Sequence, residues 1–168
     1  MFKLEILDEY WLPGLPEEKD LCLHGEVRVH IGDVVLEAGG SLSAAALHLL
    51  RSVTEDQLPD EFAKLFPTDG FSWTPDGEGS IYLGGCPNGG LDGSITHEGD
   101  IVCITLENLP PVRIALTEYC EQVFHFADKV EEFFQQSNPK QVSDALDQLW
   151  YPRFWSEWHR RRAAAENP

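Results

Sequence analysis

A chain of 168 residues with 42% hydrophobic and 11% aromatic content is long enough for one domain with a substantial core. Its formal charge of −17 opposes nucleic acid and anionic membrane surfaces, and no stretch nears the ~20 apolar residues of a membrane span. A basic nucleic-acid-binding domain and a helical membrane protein are thereby excluded, and disorder is expected only at the ends and in one loop region.

Residues 2–7 alternate Phe, Leu and Ile with Lys and Glu, the pattern of a half-buried strand. Pro13, Gly14 and Pro16 break any regular element across 8–20. In 21–31, Leu21, Leu23, Val27, Val29 and Ile31 take one face of a strand, and Cys22, His24, Glu26, Arg28 and His30 the other. Gly32-Asp33 then reverses the chain into 34–36, a hairpin. A helix over 43–53 follows, with Ser43 as N-cap, Leu42 and Leu47 as a hydrophobic staple, and Ala46, Leu49, Leu50 and Val53 as its buried stripe. His48 falls opposite that stripe.

Residues 54–80 read as an irregular excursion of the same domain, with a short helix at 59–66 and turns at 67–70 and 74–77. A short strand at 81–83 enters the glycine-rich loop 84–90. Residues 93–97 and 100–106 flank Glu98-Gly99 in a second hairpin, and Val112, Ile114 and Leu116 mark another strand.

The strongest signal is 117–136. At helical spacing Tyr119, Cys120, Val123, Phe126, Ala127, Val130, Phe133 and Phe134 share one half of the cylinder, with Phe124 at its border. Asn138-Pro139 ends this helix; another is expected at 141–150 with Val142, Leu146 and Leu149 inward, and Pro152 opens a last one at 152–163 before a frayed tail at 163–168. The fold class expected is α+β: an antiparallel sheet of two hairpins plus short strands, with a long amphipathic helix and shorter helices packed on one face.

Four cysteines without a C-x-x-C pair read as reduced, mostly buried thiols. The first eleven residues carry Glu5, Asp8 and Glu9 and no signal-peptide apolar run, which predicts a cytoplasmic protein. Charge is uneven: residues 1–149 hold 27 acids against 8 bases, whereas 150–168 add Arg153, Arg160, Arg161 and Arg162 against Glu157 and Glu166. Such a body steers basic partners toward it, and equally keeps a cytosolic protein soluble without one.

Three groups of residues are candidate sites. On the hairpin face, His24, Glu26, Arg28 and His30 align two imidazoles with a carboxylate; the histidines stand roughly 20 Å apart at strand rise, so one metal ion would need ligands from elsewhere. The alternative is a solvated face. Cys86, on the loop 84–90, has His97 as its nearest histidine in sequence, the elements of a nucleophile and base. Asp92, Glu98 and Asp100 oppose thiolate formation there. The loop lacks the Lys and Ser/Thr of a P-loop and the G-x-G-x-x-G pattern, so no cofactor is implied, and a tight glycine turn explains it as well. The third group is the C-terminal run with Trp155, Trp158, Arg160 and Arg161, residue types enriched in protein-binding hot spots. It joins Glu121, Asp128 and Glu132 on the polar face of the main helix as an interface candidate. Its alternative is aromatic packing on the body with the arginines meeting acids.

The stretches GCPNGG (85–90), THEGD (96–100), EYC…FADKVEEFF (118–134) and FWSEWHRRR (154–162) together resemble an uncharacterised family of small acidic bacterial proteins. The resemblance implies a bacterial, cytoplasmic protein and no particular activity. The residues themselves favour a non-enzymatic, acidic protein-binding module, with an immunity protein that neutralises a basic toxin as its specific form. An enzyme or metal-binding protein centred on Cys86 and His97, and a nucleic-acid mimic with carboxylates at phosphate-like spacing, are the alternatives. Phe124 and the terminal tryptophans suit a dimer seal and a core equally.

Overall fold

The computed structural model describes residues 1–59, 72–75, 79–84 and 92–164. The expected helix at 59–66, the turns at 67–70 and 74–77, the glycine-rich loop with Cys86 and the last residues of the tail lie wholly or largely outside them. Elements follow in the order β1 (Phe2–Tyr10), β2 (His24–Ile31), β3 (Val34–Ser41), α1 (Leu42–Ser52), β4 (Ser72–Pro75), β5 (Ile81–Gly84), β6 (Gly93–Glu98), β7 (Ile101–Leu106), β8 (Val112–Ala115), α2 (Leu116–Gln136) and α3 (Ala145–Ala164). The fold is α+β. Its antiparallel strands form three sheets, β1-β2-β3, β4-β5 and β6-β7-β8. No helix among the described residues is long and apolar enough to cross a membrane.

The first sheet obeys the period of two: Leu4, Val29 and Leu36 stand in register across it, with Val27 and Ile31 also turned inward. Both hairpins turn on a Gly-Asp pair, Gly32-Asp33 and Gly99-Asp100, each glycine at φ 62°. The second turn therefore sits one residue later than Glu98-Gly99, because only glycine takes that φ without strain. β1 runs three residues past its expected end. Its pairing with β2 slips between Ile6 and Asp8, and the bulge lets Asp8 to Tyr10 continue the ladder.

α1 starts earlier than expected. Ser41 caps it, its Oγ accepting from the Ala44 N–H at 3.3 Å, while the Ser43 hydroxyl instead accepts from the Leu23 N–H at 2.8 Å. The expected stripe was too narrow: every residue of α1 except Arg51 is buried, His48 included. Small residues such as Ala44, Ala45 and Ala46 let neighbours close on all sides.

α2 buries Tyr119, Val123, Phe126, Ala127 and Val130, as its periodicity predicts. The Tyr119 hydroxyl meets Ser52 Oγ at 2.5 Å. Phe133 and Phe134 are half-buried under Trp11, with ring centroids 5.5 and 4.9 Å away.

The expected break at Pro152 is absent, and α3 is one helix through it. Proline removes an N–H and crowds the preceding turn. Trp150 on one side and Phe154 and Trp158 on the other are buried, which holds the helix on both sides of the proline. Asp144 Oδ1 receives the Leu146 N–H at 2.8 Å and fixes the helix start. Leu146 and Leu149, expected inward, are 49% and 55% exposed, and Trp150 takes their place in the core.

A buried ion pair ties α1, α3 and β5 together. Arg51 Nε and Nη2 donate to Glu157 at 2.8 and 2.9 Å. Arg51 also donates to the Ile81 carbonyl at 2.5 Å, and Glu157 accepts the Ile81 N–H at 3.0 Å. Burial pushes the Glu157 carboxyl up, but the Arg51 hydrogen bonds and charge outweigh it and leave it below its ordinary value.

Candidate functional site

β1 is an edge strand. One side pairs with β2, and among the described residues no strand pairs with the other. α2 runs along that open rim. Near its start the helix supplies partners: Glu118 Oε1 accepts the Phe2 N–H at 2.8 Å, and Gln122 Oε1 accepts the Leu4 N–H at a long 3.5 Å. Beyond Leu4 a cleft of about 780 Å³ separates strand and helix, lined by residues 3–9 and by Gln122, His125, Phe126 and Lys129.

The bulge shapes this cleft. Asp8's carbonyl lies so close over Gly25 that any Cβ there would clash with it and with Leu42 Cδ1, so glycine at 25 lets the strand kink. Past the kink Leu7 and Tyr10 are 39% and 40% exposed. The walls are acidic in surplus. Lys3 is engaged by Glu5 at 2.6 Å and Lys129 by Glu132 at 3.0 Å, leaving Asp8 and Glu9 beside neutralised bases. Burial pushes the Glu9 carboxyl up, Lys129 pulls it down, and Asp8 and Glu132 push it further up. Glu5 is held well below its ordinary value by hydrogen bonds from Lys3 and His30.

The histidines singled out by the sequence are dispersed, each with its own carboxylate. His24 is buried, with Nε2 3.5 Å from Asp20 Oδ1 and its ring stacked on Tyr10. Burial pushes Asp20 up, but hydrogen bonds from His24 and from the Leu12 and Cys22 N–H groups leave it lowered. His30 meets Glu5 at 2.8 Å, and His97 Nδ1 meets Asp56 at 2.8 Å. Among the described residues no three His, Cys, Asp or Glu side chains gather as metal ligands. The pairing of Cys86 with His97 lies outside the described residues. Cys22, Cys103 and Cys120 are free and half-buried; burial and the Asp20 and Asp147 charges push the Cys22 thiol up, which suppresses its nucleophile.

No family model matches the chain, and comparisons with curated proteins and with solved structures likewise give no match.

The C-terminal run is divided between core and surface. Trp158 is fully buried, its Nε1 donating to Glu131 at 3.0 Å, and so belongs to the core and offers no contact surface. Trp155 is half-buried among Phe134, Phe154 and Trp158. Arg161 is held by Glu55 and Glu157, and Arg162 grips Asp128 at 2.9 and 3.1 Å. Arg160, Glu121, Asp128 and Glu132 are exposed. Arg161 and Arg162 therefore turn back onto the acidic body, while Glu121 stays exposed on the outer face of α2. The cleft residues Asp8, Glu9 and Gln122 were missed as a site from the sequence. Their signal was the run of acids in β1, which marks an edge strand only once its single partner is known.

Proposed function

We propose that this protein is a non-enzymatic binding module whose acidic surface docks a basic protein partner, neutralisation of a basic toxin being the specific form. The observation that carries this reading is the cleft between β1 and α2, which combines an open strand rim, exposed apolar side chains and an acidic surplus. Net charge of −17 adds long-range steering of a basic partner. His24, His30 and His97 sit on separate carboxylates, so the reading rests on the charged surface and not on a shared acid–base centre.

The test is capture by the immobilised protein at about 50 mM and about 500 mM salt, where exposed charges are respectively unscreened and screened. Partners should be basic, leave the resin at the higher salt, and bind less to a Glu121→Lys/Glu132→Lys variant. Captured proteins of acidic pI, or retention indifferent to salt and charge reversal, would refute the reading.

A further inference from the structure

We propose that the β1 rim takes up an extended, lysine- or arginine-bearing segment of the partner as a fourth strand of the β1-β2-β3 sheet. This inference rests on the docking reading above and names how the partner is held.

An open sheet edge is a template for another strand, and proteins ordinarily blunt it with charge, a bulge or a covering helix. β1 shows all three devices, unevenly spread. α2 covers Phe2 and Leu4 through Glu118 and Gln122, whereas from Ile6 to Glu9 the helix stands across the cleft. The bulge at Leu7 kinks the strand there, and with Lys3 engaged by Glu5 the surplus charges of the strand, Asp8 and Glu9, are negative. Charges of one sign block only partners of that sign. An acidic guest strand would set acids beside acids, which is destabilising, whereas a basic strand gains what it loses. The rim thus selects for a cationic guest.

The dimensions agree. Residues 3–9 span about 20 Å at strand rise, and a guest strand would lie about 4.8 Å from β1. That places it beyond Leu4 on the side of β1 that faces His125 and Lys129, which line the cleft. Main-chain hydrogen bonds would supply affinity, and alternate guest side chains would meet Asp8 and Tyr10 on one face and Glu9 on the other. His125, exposed on the helix wall, and the weakly held Leu4 N–H are the remaining polar groups a guest backbone could engage.

The probe is a capped peptide of three Lys-Val repeats, compared with the same peptide N-methylated at alternate residues, which keeps every charge and removes the strand-pairing donors. Titration calorimetry should show the methylated peptide weaker by about tenfold, the equivalent of one or two hydrogen bonds. Amide shifts on binding should centre on Leu4 to Glu9. An Asp8→Lys/Glu9→Lys variant should lose binding, and an Ile6→Pro variant, whose outward N–H is gone, should weaken by a similar factor. Equal, salt-sensitive binding of both peptides would overturn strand addition while leaving the docking reading standing. Absence of binding by either peptide, or self-association of the protein through the rim, would overturn it too; failure of the salt-dependent capture would remove the docking reading itself.

Discussion

Replacing Arg51 with Met strips the guanidinium from Glu157, whose side chain is 0% exposed. Breaking a buried ion pair from one side costs about 3–5 kcal/mol because the remaining charge is left without a partner. Two features place the cost near the lower end. Arg161 Nε remains 3.6 Å from Glu157 Oε1, and the Ile81 N–H still donates to Oε2. About 3 kcal/mol corresponds to a midpoint fall of about 6–12 °C for a domain of this size, and to a lower urea midpoint with unchanged slope. The pH dependence carries a sign. Glu157 is depressed in the fold, so the native protein holds this stabilisation above the ordinary value of 4.5 and loses it as pH falls through the folded value. Without Arg51, burial dominates and the carboxyl protonates at higher pH, so the gap between the two proteins is widest near neutrality and narrows in acid. An Arg51→Met/Glu157→Leu variant should regain part of the loss. A single variant within about 0.5 kcal/mol of the parent at neutral pH, the range of ordinary surface changes, would refute the reasoning.

Four further outcomes are expected. Tyr119→Phe should lower stability by about 1–2 kcal/mol in urea titration, since the lost hydroxyl bonds Ser52 in the core. Gly25→Ala should cost about 1–3 kcal/mol or more, because Asp8's carbonyl and Leu42 must move; a neutral result would mean the bulge relaxes freely. Cys22 should resist iodoacetamide at pH 8 in the folded protein and react once unfolded, read by peptide mass mapping, since its thiol is pushed up. Glu9→Gln should raise the urea midpoint at neutral pH and do nothing in acid: the raised carboxyl disfavours the folded state only as pH climbs past the value of 4.5 it has when unfolded.

Elements whose pattern is local were legible. The stripe from Tyr119 to Val130 and the alternation from Val27 to Ile31 name their own buried faces, and the core accepts them. What failed depended on distant residues. Pro152 stops a lone helix, yet with Trp150, Phe154 and Trp158 buried on either side this one continues past it. His48 reads as solvent-facing by angle, but a helix enclosed on every side has no outer face. Glu157 reads as one more surface acid in an arginine-rich tail; nothing near it in sequence points to Arg51, 106 positions earlier. The cleft was hidden for the same reason, since its walls come from the first and second halves of the chain.

That separation orders events on the ribosome. The Phe2 N–H finds its acceptor on Glu118, 116 residues later, so the first sheet and α1 emerge long before α2 can cover them. At about 5–20 residues per second, the interval between the end of α1 and the end of α2 lasts on the order of 4–17 s. Throughout it, α1's apolar surface waits for a lid still being made, and the aspartates and glutamates of the early segments keep neighbouring nascent chains apart.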